Sequence, residues 1–142
     1  MTDEELIRYF ETAEAPPGGF PHREHVRVAW WYVCRHPLPE ALERFRTGLR
    51  RFAEARGAAD KYHETITTAF VLLIDERLDE IGRAAPWSEF ASRCPDLLGW
   101  RPSILDRYYR PETLASERAR RMFVMPDRLE LGLPLSPAAS VE

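Results

Sequence analysis

The chain has 142 residues, 44% hydrophobic and 30% charged, with a formal net charge of -3 and a pI near 5.9. That length suits one domain with one hydrophobic core, and the composition excludes a disordered tail or a membrane protein. The acidic balance argues against a general nucleic-acid binder, whose affinity would rest on neutralising phosphates.

Residues 3–13 carry Leu6, Ile7, Phe10 and Ala13 at helical spacing, with Thr2 or Asp3 as N-cap and Glu5 in the first turn. This opening runs straight into a helix without the basic and apolar regions of a signal peptide, and no apolar run reaches the roughly eighteen residues of a membrane span, so a cytoplasmic protein is expected. "EAPPGGFP" breaks the pattern, because its prolines lack donors and its glycines permit unusual backbone angles. A second helix is expected from His22 to Cys34 or Arg35, stopping before Pro37. A third starts near Pro39, buries Ala41, Leu42, Phe45, Leu49, Phe52 and Ala53, and ends at Gly57. Arginines 44, 46, 50 and 51 interleave with Glu40, Glu43 and Glu54 and read as a solvated face.

The longest helix is expected from Tyr62 to about Gly82. Its segment "AFVLLI", residues 69–74, is apolar on every side and marks it as the central helix. After Pro86 the pattern breaks into "WSEFASRC", "SILDRYY" with Ser103 as cap, and "ASERARRMFV". The fold class predicted is all-α: a four-helix core with short C-terminal helices over residues 1–125, and an extended tail over 126–142. Phe123, Val124, Leu129, Leu131 and Leu133 are expected to strap apolar helix surface. Cys34 and Cys94 have no C-x-x-C spacing and read as buried thiols.

Three of the four histidines stand at helix starts. His22, His25, Ala29 and Tyr32 share one face of the second helix, and a small alanine beside two imidazoles leaves room. With Asp60 as N-cap of the long helix, His63 takes the third position, Thr67 follows one turn later, and the polar run from Tyr62 to Thr67 forms a reasonable pocket floor. Three neutral imidazoles with vacant positions suit a catalytic Zn site and are compatible with Fe or Cu. The expected site is therefore a transition metal (Zn, Fe or Cu) on His22, His25 and His63. Glu64 would act as base or ring-orienting partner, with Glu24 as a further candidate, and Thr67, Tyr62, Arg23 and Tyr32 would contact a small-molecule substrate. H-E-x-x-T, with Thr67 in the second ligand position, is not the zinc-protease motif. His36, between a helix end and Pro37, reads as a capping residue.

Helix N-termini also favour anions. The same residues with Arg23 and Lys61 therefore suit a metal-free ligand-binding protein, or a histidine general-base enzyme for an anionic substrate. A third alternative is a non-catalytic interaction module using an aromatic from Trp30, Trp31 and Tyr32, which cannot all face one core. One phenol of Tyr108 and Tyr109 is expected either to enter the pocket or to pack.

F-P-H-x-x-H-V-R-x-A-W at 20–30, K-Y-H-E-T-x-T at 61–67, and Y-Y-R-P-E-T-L-A-S followed by A-R-x-x-F-V-x-P-D at 108–127 resemble the pattern of a group of small bacterial all-α proteins of uncharacterised function. The resemblance covers most of the chain. It implies which segments belong together and lends no activity.

Overall fold

Thr2 starts the molecule's first helix by a reciprocal exchange: its hydroxyl accepts the Glu5 amide at 3.1 Å, and the Glu5 carboxylate accepts the Thr2 amide at 2.8 Å. In the computed structural model, which describes residues 1–128, this cap sets α1 over Asp3–Glu11. The helix stops short of residue 13 because Ala13 turns into the left-handed region at φ 60°. Helices α2 (His22–Arg35), α3 (Leu38–Ala55) and α4 (Glu64–Ile81) complete the four-helix core. Pro37 caps α3, Pro39 lies in its first turn, and Gly82 closes α4 at φ 103°.

Two expectations about α4 are corrected. Its N-cap is His63, not Asp60, which lies in a 3-10 turn over Ala59–Lys61. The His63 ring supplies an acceptor nitrogen to the Ile66 amide, the task usually given to a Ser or Asp oxygen. Nor is α4 enclosed on every side: Phe70, Val71 and Ile74 are buried, but Leu72 is 40% exposed. The central position belongs to α2, which packs against α1, α3, α4 and α6 (Pro95–Leu98).

The core is aromatic near α1. Phe10 stacks on Phe45, with ring centroids 5.8 Å apart, and tilts against Tyr32 and Phe20. Gly48 permits this approach, since a Cβ there would collide with the Phe10 ring. On the far side of α2, Trp30 packs on Trp87 and Phe90 of α5 (Trp87–Arg93). Trp31 is half-buried beneath the Arg35 guanidinium, 4.1 Å from its ring centroid.

The remaining chain is a series of short turns, two of them capped by serine side chains. Ser103 caps a 3-10 turn at Ile104–Arg107, and Ser116 caps α8 (Glu117–Arg121), after α7 (Pro111–Leu114). The chain then returns across α4. Thr65 donates to the Met122 carbonyl and accepts the Val124 amide, while the Tyr109 hydroxyl donates to the Val124 carbonyl at 2.7 Å. Val124 packs on the core and Phe123 is half-buried; Leu129, Leu131 and Leu133 of the expected strap lie outside the described residues, as does the tail from 129 onward. Among the described residues there are eight α-helices and no strand, and none of the helices is long and apolar enough to cross a membrane. Cys34 and Cys94 are free thiols, the first half-buried and the second buried.

Candidate functional site

The apolar stripe of α3 is longer than the core it meets. Ala41 and Phe45 are buried, but Leu49, Phe52 and Ala53 continue the stripe toward the end where α2 and α4 begin. There the helices enclose a cavity of about 410 Å³, within the size range of small-molecule sites. Val26, Ala29, Phe45, Thr67 and Phe70 are its buried lining residues. His22 and His25 from α2, with Ile66 and Thr67 from α4, line it nearer the helix starts. Arg56, Lys61 and Trp100 are its exposed residues.

His22, His25 and His63 all line this cavity, so the two histidine segments meet. Their nitrogens are differently engaged. His22 Nε2 donates to the Leu97 carbonyl at 3.0 Å, which leaves Nδ1 as its acceptor. Its ring stands edge-on to Phe70, at 4.8 Å, and against Trp100, at 5.0 Å between centroids. Burial lowers its pKa, opposed by the Leu97 carbonyl. His25 packs under Phe20 at 4.2 Å, and burial pushes its pKa down to about 4, with His22 adding to the shift and the Phe20 carbonyl opposing it. Both imidazoles are thus uncharged at neutral pH. His63 has neither ring nitrogen free: Nδ1 accepts the Ile66 amide at 3.1 Å, and Nε2 donates to the Leu114 carbonyl at 2.7 Å.

That arrangement does not fit the expected three-histidine metal set. The His63 lone pair is committed to the start of its own helix, and among the described residues no group of three or more His, Cys, Asp or Glu side chains is placed to hold a metal. Glu64, the expected base, is 7% exposed and turned from the cavity to Arg46 at 2.8 Å and Arg50 at 3.5 Å. It also accepts the Tyr62 hydroxyl at 2.6 Å and the Thr68 hydroxyl at 3.4 Å. Glu24 faces Arg27 at 3.9 Å.

Of the expected substrate contacts, Thr67 and Tyr62 line the cavity. Burial raises the Tyr62 pKa, the Glu64 carboxylate adds to this and Thr67 opposes it, so Tyr62 stays a neutral phenol. Tyr32 and Arg23 lie elsewhere. The Tyr32 hydroxyl donates to Glu11 at 2.7 Å, and the exposed Arg23 guanidinium lies 5.6 Å from the Trp87 ring centroid. His36 caps α2 through its backbone amide and sets its ring 3.3 Å from the Glu40 carboxylate. Neither Tyr108 nor Tyr109 lines the cavity.

Sequence reasoning missed Phe45, Leu49, Phe52 and Phe70 as cavity walls, because helical periodicity reads the same for a core and for a pocket. It also missed Trp100. The available signal was a large aromatic between Gly99 and Pro102, in a stretch with no apolar periodicity to bury it. Compared with protein-family models, curated proteins and solved structures, the chain matches none.

Proposed function

We propose that the chain binds a small, largely apolar molecule in the cavity between α2, α3 and α4, and offers it His22 and His25 as uncharged hydrogen-bond acceptors. The observation that carries this reading is the pairing of two neutral imidazoles with walls that are otherwise mostly aromatic and aliphatic. A desolvated acceptor left without a donor costs about 1–3 kcal/mol. The site therefore favours a molecule carrying a hydroxyl or N–H on an apolar body. If the bound molecule is turned over, His22 is the proton acceptor, because His25, near 4, is too weak a base for efficient work at neutral pH. A metal-centred enzyme on His22, His25 and His63 requires the His63 Nδ1 lone pair to leave the Ile66 amide, while Nε2 can go on donating to the Leu114 carbonyl.

Titration with 2-naphthol and naphthalene tests the proposal, since the two differ by one donor. The expected result is one site per chain, with 2-naphthol bound about five- to tenfold tighter, the worth of one hydrogen bond. Leu49→Trp should abolish both, while His22→Phe should keep naphthalene and erase the difference. Binding that survives Leu49→Trp places the molecule elsewhere, and equal affinities remove the imidazoles from recognition. Stoichiometric Zn, Fe or Cu in tag-free protein, lost in His63→Ala, would replace this reading with the metal-centred one.

A further inference from the structure

Charge is distributed unevenly around the cavity. No carboxylate lines it among the described residues, whereas Arg56 and Lys61 both do and both are exposed. The Arg56 guanidinium is fixed over the Phe52 ring, 3.5 Å from its centroid, and donates to the carbonyls of Ala13 and Phe52 at 3.0 Å. These neutral acceptors hold its direction without cancelling its charge. Glu64, whose carboxylate would otherwise offset these cations, is already matched by Arg46 and Arg50 behind Tyr62. Burial keeps the His22 and His25 imidazoles uncharged, so they add no positive charge of their own. An apolar chamber with permanent cations at one end has the polarity of an amphipathic anion.

We infer that the ligand class is a small carboxylate whose apolar body carries the hydroxyl or N–H that His22 or His25 accepts. The body lies against Phe45, Leu49 and Phe70, and the carboxylate reaches the exposed end between Arg56 and Lys61. This rests on the cavity being the binding site. At the roughly 30 Å³ that one water takes in the liquid, the space suits about ten to fifteen non-hydrogen atoms, the size of a medium-chain or aryl-alkyl acid and not of a long-chain lipid. Partial exposure of the cations makes the charge preference sensitive to salt, while contacts along the body are not.

The test compares octanoate, octanol and octylammonium on the full chain by calorimetry, at low and at moderate salt. Octanoate is expected to bind at least about tenfold tighter than octanol at low salt, octylammonium weakest, with the octanoate advantage shrinking as salt rises. Lys61→Gln should cut the advantage several-fold and leave octanol unchanged. Arg56→Gln should do the same, with its melting temperature measured to exclude a folding defect. Octanol binding as tightly as octanoate, or an advantage indifferent to both substitutions, overturns the carboxylate inference and leaves the cavity reading standing. Failure of all three probes to bind folded protein overturns both.

Discussion

Helix α3 has two ends that look alike in sequence and differ in packing. Around Ala41 and Gly48 it is in full contact, with the Phe10 ring pressed onto a backbone that has no room for a methyl group, and Phe45 marks the change, stacked on Phe10 and lining the cavity. One turn further on, Leu49, Phe52 and Ala53 line the cavity, with Phe20 tilted against the Phe52 ring at 4.8 Å. The same amphipathic stripe thus supplies a closed core and a pocket wall. What separates the two is α1, which covers the first end and stops at Glu11. Where a neighbour runs out, an apolar face becomes available to a ligand.

The contrast predicts unequal costs. Phe10→Ala, at the closed end, should destabilise by about 3–5 kcal/mol in urea unfolding, because a 2% exposed ring leaves a void that its neighbours cannot fill. A loss below about 1 kcal/mol would mean that the two ends are equally plastic. A second effect comes from His25, whose folded pKa lies near 4 against an ordinary value of 6.5. Between those values the unfolded chain binds the proton and the folded one does not. The His25 contribution to stability is therefore full above about pH 6.5, is lost as pH drops toward 4, and changes no further below it. The loss is on the order of 3 kcal/mol, and His25→Gln should flatten that part of the profile. The smallest and sharpest test sets adjacent residues against each other. Gly48→Ala should cost about 1–2 kcal/mol through collision with Phe10, despite alanine's better helix propensity, whereas Leu49→Phe should change stability by less than about 1 kcal/mol while it narrows the cavity.

Much of the fold was legible because its signals are local. The Thr2–Glu5 cap, the stop before Pro37 and the Ser103 cap follow from residues within four positions of each other. Periodicity placed all four long helices, and H-x-x-H placed His22 and His25 on the surface that does line a cavity. The rest depends on partners distant in sequence. Nothing near Glu64 announces that Arg46 and Arg50, read as solvated, reach across to hold it. Nothing in K-Y-H-E-T tells that the His63 ring is spent on its own helix start and on Leu114, fifty-one residues away. Tyr32 shares the histidine face on a helical wheel, but it lies two turns further along the axis, where Glu11 is its neighbour.

The hydroxyl of Thr65, fully buried, is bonded on both sides by the segment at Met122 and Val124, 57 and 59 residues later. During synthesis, therefore, the helix that supplies Thr67 and Phe70 to the cavity emerges well before the chain that completes its outer face. Contacts so distant in sequence form late, after loop closure has become possible. A nascent chain halted before residue 122 would carry all the cavity-lining residues and lack the fastening of α4, so ligand capture should belong to the finished polypeptide and not to its growing intermediate.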